Sequence, residues 1–286
     1  MPPNSDEMKI FVLLPRIPYP LEKGDKLRAF NQIKQLSKHN EIVLCALNDN
    51  SKVSEQDAFH ALQPYCQSIN FIKITKPKIA LGLVRAFCKG LPLQCGYFFN
   101  RKASKRINAL IAKHKPDMLF GQLLRVAEYI RHKNLPKTMD YQDIFSYGMK
   151  RRADIASCVT RPIYNMEYHR LKRYEAALFD NFDVKSIISE PDRDLFPHER
   201  RDKILIIPNG VDHDYFKPQE REKQYDLVFT RSHISRMLSV FGSQNGAYIT
   251  AFLPSFPIFS TTLSYGVNVH GTLNSAAFSS VPCTKL

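Results

Sequence analysis

Gly24 and Asp25 are the first residues whose types and position could bind a ligand. They stand in a loop, PRIPYPLEKGDKLRAF, that joins an apolar run at residues 9–14 to a helical pattern at residues 27–39. A glycine lets the backbone approach a ligand closely, and the N-terminus of a helix presents free N–H groups to an anion. The loop therefore predicts an anion-binding turn, with a plain turn and helix cap as the alternative.

Asn209 and Gly210 form the second candidate position. The segment IPNGVDHDYFKP at residues 207–218 directly follows an apolar run. An Asn-Gly pair is a strong turn signal because both residues tolerate a positive φ. We predict a structural role for this pair, shaping a hinge rather than touching a substrate.

Apolar runs alternate with helical patterns along most of the chain. The runs with strand character lie at residues 9–14, 41–47, 69–74, 118–121, 184–189, 204–207 and 225–230, and the main helical patterns lie at 27–39, 102–114 and 164–179. Short runs that are apolar throughout are typical of strands buried on both faces. The alternation predicts an α/β fold, a Rossmann-like parallel sheet flanked by helices, with ligands beyond the carboxyl ends of its strands.

The charge pattern divides the 286 residues into two parts. The first 230 residues carry 38 basic and 27 acidic side chains, a net of +11, whereas the last 56 add +3 and contain no carboxylate. We predict a Rossmann-like domain at residues 1–225 and an aberrant, poorly ordered remnant of a second domain at 226–286. The total of +14 favours an anionic partner such as nucleic acid, a phosphorylated substrate or an acidic membrane surface.

The cysteine and hydropathy patterns predict a cytoplasmic protein. Six scattered cysteines include no C-x-x-C pair, which favours free thiols in a reducing compartment over a metal or redox site. The start, MPPNSDEMK, lacks the apolar region of a signal peptide, and no run of 18 apolar residues precedes residue 230. We therefore expect no metal site and no membrane-spanning helix.

Five segments, in order along the chain, resemble the retaining glycosyltransferases of the family 4 type, and among them the exopolysaccharide-type sugar transferases. They are RIPYPLEKGDKLRAF in the first loop, PDMLFGQLLRVAEYI at 116–130, MDYQDIFSYGMKRRA at 139–153, FDNFDVKSIISEPDRDLF at 179–196 and IPNGVDHDYFKP at 207–218. The resemblance covers about residues 8–230. It implies the N-terminal, acceptor-side half of a GT-B fold, which is built from two Rossmann-like halves.

The resemblance also implies substrate-binding residues on the acceptor side. Gly24 and Asp25 would face the cleft between the two halves, near the sugar diphosphate. Gln122 and Arg125 would line the acceptor side, although many relatives have a histidine where Gln122 stands.

Three further carboxylates are implied as substrate-binding residues. Asp140 and Asp143 would lie in another strand-end loop, and Glu190 would follow the strand at 184–189. For Asp140 and Asp143, helix capping is the alternative.

The second half departs from the pattern of the family. Its first strand, YDLVFT, should continue into a glycine-containing loop, but Arg231 follows, and no carboxylate after Asp226 could bind the ribose of a donor. A Rossmann half needs about 150 residues, far more than remain. A reading-frame change in the coding sequence would explain this, and a genuine Ser/Thr-rich tail is the alternative.

The implied activity is transfer of a hexosyl group from a nucleotide-sugar to a polysaccharide or lipid-linked acceptor, with retention and without metal. No cofactor is implied beyond the nucleotide-sugar donor. We expect the chain to be inactive by itself and to need a separate donor-half polypeptide. The alternative is a non-catalytic acceptor-binding or membrane-surface interaction module.

Basic residues flank an apolar helical pattern at residues 76–89. The pattern predicts an apolar face formed by Ile79, Ala80, Leu83, Val84 and Phe87. Such a helix can lie on an anionic bilayer, so we expect peripheral contact with the inner membrane face; a solvated helix packed on the sheet is the alternative. The sequence contains no zinc finger, RNP-type aromatic motif or heptad basic region, so we expect no nucleic-acid binding.

Overall fold

The computed structural model describes residues 7–50 and 52–211, together with the backbone of three strands farther along at 238–243, 246–252 and 262–267. The chain divides into two compact units, Met1–Gly210 and Val211–Leu286. The domain boundary predicted at residues 225 and 226 lies outside the described residues, as does the strand predicted at 225–230.

The first unit is built on a seven-stranded sheet whose strands all run parallel, in the order β3-β2-β1-β4-β5-β6-β7. The strands are β1 (Met8–Leu14), β2 (Asn40–Asn48), β3 (Ser68–Lys73), β4 (Met118–Gln122), β5 (Lys137–Gln142), β6 (Val184–Ile187) and β7 (Leu205–Ile206). The α/β class and the parallel sheet are therefore confirmed. The order reverses between β1 and β4, and such a switch point opens a crevice at the carboxyl edge of a sheet.

Helices connect the strands and cover both faces of the sheet. They are α1 (Gly24–Leu36), α2 (Glu55–Leu62), α3 (Lys76–Cys88), α4 (Leu93–Phe98), α5 (Arg101–His114), α6 (Ala127–Ile130), α7 (Phe145–Ile155), α8 (Arg161–Leu178) and α9 (Glu190–Leu195). Within the described residues, no helix has both the length and the apolar character needed to cross a membrane.

Alternation along β1 divides the core into two layers. Ile10, Val12 and Leu14 pack on one face of the sheet with residues of α1 and α2. Phe11 and Leu13 point to the opposite face, where α4, α5, α7 and α8 supply the apolar partners. Successive side chains of a strand point to opposite faces, so a continuous apolar run is the pattern that a doubly covered strand requires.

Two glycines allow α3 and α4 to pack closely. A Cβ atom on Gly82 would lie 2.2 Å from the carbonyl oxygen of Gly96, and one on Gly96 would lie 2.4 Å from the Cβ of Ala86. Both distances are shorter than any van der Waals contact, so only glycine fits at either position. The crossing holds α3 against the rest of the unit by its buried face, which includes Gly82 and Ala86.

Two differences between the structure and the predictions concern the candidate site residues. The strand β5 was not predicted, because its sequence KTMDYQ contains no apolar run. The helix α1 begins at Gly24, so Gly24 and Asp25 lie in its first turn rather than ahead of it, and its N-cap residue Lys23 makes no side-chain cap.

The second unit contains an antiparallel sheet of three strands in the order β10-β9-β8, namely β8 (Leu238–Ser243), β9 (Gly246–Phe252) and β10 (Thr262–Val267). The sequence of this part gave no convincing helical or alternating period, so these strands were not predicted.

Candidate functional site

A cavity of about 650 Å³ opens at the carboxyl ends of β1 and β2. Its wall combines the loop after β1 with the loop after β2, and it carries side chains of both charges. The charged residues of the wall are Arg16, Glu22, Lys23, Lys26, Asp49, Lys52 and Asp57. None of the site residues predicted from the sequence lines the cavity itself.

Beside the cavity lie five polar side chains that interact with one another, which we call the edge cluster: Arg16, Asp25, Asp49, Tyr97 and Arg125. Nη1 of Arg16 donates to Oδ2 of Asp25 at 3.2 Å. The hydroxyl of Tyr97 donates to Oδ2 of Asp49 at 3.2 Å. Burial and then the Asp49 carboxylate raise the pKa of Tyr97, while Arg16 and Arg125 oppose that shift. Arg16 and Asp49 also belong to the cavity wall, so the cluster and the cavity are continuous.

Arg125 is the cation of the edge cluster that no carboxylate neutralises directly. Its Nε and Nη2 donate to Oε1 of Gln94 at 3.3 and 3.0 Å, and its guanidinium lies 5.4 Å from the ring centre of Phe98 and 4.8 Å from that of Phe145. Burial, followed by the nearby Arg16, lowers the pKa of Arg125 to about 10, so it stays charged at neutral pH. Within residues 7–50 and 52–211, no carboxylate lies within 4.0 Å of it.

Gln122 ties the end of β4 to the first turn of α1. Its side chain is buried, and Nε2 donates to the backbone carbonyl of Asp25 at 3.3 Å. The next residue, Leu123, has a φ of 62°, and Gln142 at the end of β5 also has a φ of 62°. Residues other than glycine rarely adopt this left-handed backbone region, and such backbone strain concentrates at functional sites. Two adjacent strand ends at this edge are therefore held in an unfavourable backbone conformation.

Asp140 corrects the prediction of a strand-end loop. It lies inside β5, fully buried, and its carboxylate accepts two bonds from Arg28, at 2.8 Å from Nε and 3.1 Å from Nη2. Nε2 of Gln32 and the hydroxyl of Ser186 donate to it at 3.0 and 2.9 Å. With this set of partners Asp140 has no capacity left for a ligand or a helix cap, and the N-cap of α7 is Ile144.

Asn209 belongs to the same network. Its Oδ1 accepts a bond of 2.9 Å from Nη1 of Arg28, so one guanidinium joins α1, β5 and the segment after β7. Neither Asn209 nor Gly210 adopts the positive φ that suggested a turn; in the part of the first unit that the structure describes, the residues with positive φ are Lys115, Leu123, Gln142 and Gly90. The hinge role of the pair stays a prediction.

The remaining predicted residues lie apart from the cavity wall. Gly24 is exposed, with no atom within 4 Å of the place where a Cβ would stand. Asp143 follows β5 and is exposed, and its backbone N–H donates to the carbonyl of Tyr141 at 2.7 Å. Glu190 is the first residue of α9 and pairs with Arg193 at 2.8 Å. The N-cap of α9 is Ser189, whose hydroxyl accepts from the backbone N–H of Asp192.

The prediction therefore included Asp25, Gln122 and Arg125 but missed Arg16, Asp49 and Tyr97. A signal for two of the missed residues was present in the sequence. Arg16 comes two residues after the last residue of β1, and Asp49 directly follows β2. Polar residues at those positions lie at the carboxyl edge of a parallel sheet, where ligands bind. Tyr97, on the short helix α4, carried no such signal.

No protein-family model and no curated protein matches the sequence. Solved structures are similar at low identity. Sucrose-phosphate synthase from Thermosynechococcus elongatus is 12% identical over 74% of this chain and 50% of its own, with a TM-score of 0.46. UGT2 of Phytolacca americana, complexed with UDP-2fluoro-glucose and pterostilbene, is 12% identical over 71% of this chain and 54% of its own, with a TM-score of 0.41. MnaA of S. aureus in complex with UDP is 10% identical over 70% of this chain and 44% of its own, with a TM-score of 0.40. The chain thus spans about half the length of each of these structures.

Proposed function

We propose that the first unit is the acceptor-binding half of a retaining glycosyltransferase of the family 4, GT-B type, in the exopolysaccharide subgroup. The observation that carries the proposal is the edge cluster, in which side chains from the segments after β1, β2 and β4 and from α4 converge beside one cavity. Three of the residues that the sequence resemblance assigns to substrate, Asp25, Gln122 and Arg125, lie at this place.

The chemistry of the edge cluster suits a sugar that carries a phosphate. Carboxylates such as that of Asp49 accept hydrogen bonds from hydroxyl groups, which are the groups that a sugar presents. Arg125 holds a positive charge in a fixed position between two aromatic rings, and a planar guanidinium binds phosphate oxygens in pairs. A lipid-linked or polysaccharide acceptor with an anionic group would satisfy both.

In our proposal, the half of the enzyme that binds the nucleotide-sugar donor is not part of this chain. A nucleotide-sugar needs a second Rossmann-like half, and the carboxylate expected on its ribose has no counterpart after Asp226. We propose that a separate polypeptide supplies this half and that residues 1–286 do not transfer sugar by themselves. Charge on the leaving diphosphate would then be stabilised by loop N–H groups and basic side chains of the completed cleft.

The compartment we propose is the cytoplasm, with peripheral contact at the inner membrane face. Cys45, Cys66, Cys88, Cys95 and Cys158 are all free thiols, which fits a reducing environment. A non-catalytic acceptor-binding module is the second function consistent with the same cavity, because binding alone needs no donor half.

Ligand-detected NMR with three probes tests the proposal: hexose di- to tetrasaccharides, a short isoprenyl diphosphate, and UDP-glucose. We expect one of the first two probes to bind and UDP-glucose to give no signal. Affinity for that probe should fall about tenfold or more in Asp49→Asn and in Arg125→Gln, since each removes a charged hydrogen-bonding group, and stay unchanged in the α1 surface control Lys34→Ala.

Two results would contradict the proposal. The absence of a binding signal with all three probes would mean that the chain has no acceptor site. Tight UDP-glucose binding followed by release of glucose or its transfer would show that this chain already holds a donor site. A module that binds an acceptor but gains no activity when a donor-half polypeptide is added would support the second function.

A further inference from the structure

The helix α3 presents an apolar face to solvent. Leu81, Val84 and Phe87 are 72%, 60% and 57% exposed. These positions share one side of a helix with Pro77, Ala80 and Cys88, which are exposed too, so the whole stripe carries no charge. The face differs from the predicted one, because Ile79 and Leu83 turn inward and Ile79 packs on the core.

Basic side chains border the stripe on both sides. At 100° per residue, Lys76 lies along one border and Lys78, Arg85 and Lys89 lie along the other. The surrounding sequence extends this pattern, because residues 58–116 contain eleven Lys or Arg and no Asp or Glu. An apolar stripe with Lys76 on one border and three cations on the other, in a stretch of sequence without carboxylates, matches a surface that is apolar inside and negatively charged outside.

A second apolar patch continues from α3 along α8. Arg170 of α8 donates to the carbonyls of Leu91 and Phe87 at 3.4 and 3.3 Å, and its guanidinium lies 5.0 Å from the ring centre of Phe87. Ile163 is two turns earlier on the same side of α8, about 10 Å along the helix axis. Ile163, Val159 and Ile155 at the α7–α8 turn are 57%, 79% and 88% exposed.

We propose that α3 and the α7–α8 turn form a docking surface for an anionic lipid bilayer, with Leu81, Val84 and Phe87 inserted at the level of the headgroups. A single helix face is convex and offers no groove for a peptide, whereas a bilayer accepts an amphipathic helix lying in its plane. The basic residues that border the stripe would meet the negative headgroups, whose attraction adds to the apolar insertion. The proposal does not rest on the glycosyltransferase assignment, because vesicle binding requires no sugar chemistry.

Co-sedimentation of the full chain with vesicles tests the proposal. Vesicles of 70% phosphatidylcholine and 30% phosphatidylglycerol should bind the chain, and vesicles of phosphatidylcholine alone should bind it at least about tenfold more weakly. Binding to the anionic vesicles should weaken further as salt rises, because salt screens the headgroup charge.

Two pairs of variants separate the apolar and the charged contributions. The triple variant Leu81→Ser, Val84→Ser and Phe87→Ser should lose binding, while the control Leu27→Ser with Phe59→Ser, on the opposite face of the sheet, should retain it. Reversal of Lys76 and Lys89 to Glu should lower binding at least about tenfold, and the same change in charge at Lys34 on α1 and at Lys38, just after that helix, should not.

A labelling experiment on the unmodified surface gives a readout that no folding defect can disturb. Cys88 lies on the apolar stripe and is exposed. A water-soluble maleimide should label it several-fold more slowly when anionic vesicles are present, and at the same rate with neutral ones.

Three results would overturn the proposal. The first is equal sedimentation with neutral and anionic vesicles, and the second is unchanged binding by the triple serine variant. The third is a dimer of the wild-type chain that the triple variant abolishes while neither protein binds vesicles, which would make the stripe an interface between two copies.

Discussion

The guanidinium of Arg28 and the carboxylate of Asp140 form a buried two-bond ion pair that joins positions 112 residues apart. Arg28 lies on α1 and Asp140 on β5, and both side chains are almost fully excluded from solvent. Removing one partner of such a pair leaves the other charge buried without compensation, which costs far more than the pair itself contributes.

We therefore expect Asp140→Asn to lower the free energy of unfolding by about 3–5 kcal/mol. The amide preserves the shape of the side chain but leaves the Arg28 cation without its counterion. Urea denaturation measures the change. The matched control is Glu41→Gln, which neutralises the exposed pair with Lys9 and should change stability by about 0.5 kcal/mol or less. Equal effects at the two positions would contradict a dominant role for the buried pair.

The buried carboxyl group of Glu175 should make the free energy of unfolding depend on pH. Glu175 is buried on α8, and its Oε1 accepts a bond of 3.1 Å from the backbone N–H of Ser146. Burial raises the pKa of Glu175 to about 7, while the bonds from Ser146 and Phe145 oppose that shift and the Asp143 charge adds to it. The folded state therefore holds a proton that the unfolded chain releases near pH 4.5. This contribution to stability is complete below pH 4.5 and disappears as pH rises through about 7.

The measurement compares the wild type with Glu175→Gln, whose neutral side chain imitates the protonated acid. Between pH 5 and pH 8 the wild type should lose roughly 2–3 kcal/mol of unfolding free energy relative to the variant. Parallel pH profiles for the two proteins would show that Glu175 stays ionised in the folded state.

The contact between α3 and α4 predicts opposite outcomes for two glycine substitutions. Gly82→Ala would place a methyl group 2.2 Å from the carbonyl oxygen of Gly96 and should cost about 2–3 kcal/mol through forced separation of the helices. Gly148 lies inside α7 with no atom within 4 Å of its Cβ position, so Gly148→Ala should stabilise by about 0.5–1 kcal/mol through helix propensity alone. Thermal and urea unfolding of both variants give the two signs. A neutral Gly82→Ala would mean that the helices separate freely.

The described cysteines should differ sharply in reactivity. Cys88 and Cys158 are exposed, whereas burial raises the pKa of Cys45 and of Cys66 to about 12 and that of Cys95 well above its usual range. Only the thiolate reacts, so alkylation of the native protein at pH 8 should label Cys88 and Cys158 at least ~100-fold faster than the other three. Peptide mapping by mass spectrometry measures the order, and denaturant should equalise the rates. Early labelling of Cys95 in the native protein would argue against its burial.

The sheet could be predicted because its central strands carry a local signal. In β1 the five residues IFVLL at 10–14 are all apolar and buried, as a strand covered on both faces requires. The strand β5 carries no such signal, since it contains Asp140. A buried carboxylate is tolerated only with its partners in place, and the main partner, Arg28, is remote in sequence. The residues next to Asp140 in the sequence therefore give no signal of its contact with Arg28.

The edge cluster was predictable in part for the same reason. Asp25 and Arg125 follow β1 and β4 in the chain, at the edge where a parallel sheet places ligand-binding residues, and the same rule applied to Arg16 and Asp49 would have found them. The inward turn of Ile79 on α3 was not predictable, because two opposite sides of this helix are apolar. Only the close approach of Gly82 to α4 decides which side is buried.

The link from Arg28 to Asn209 has a consequence for the order in which the unit is completed during synthesis. The two residues are 181 positions apart, and the same guanidinium also needs Asp140. At about 5–20 residues per second, a ribosome takes roughly 10–40 s to travel from Arg28 to Asn209. Throughout that interval the first helix carries a cation whose binding partners do not all exist yet. The network can therefore close only as the last residues of the unit emerge, which makes it a late check that the whole first unit has been made.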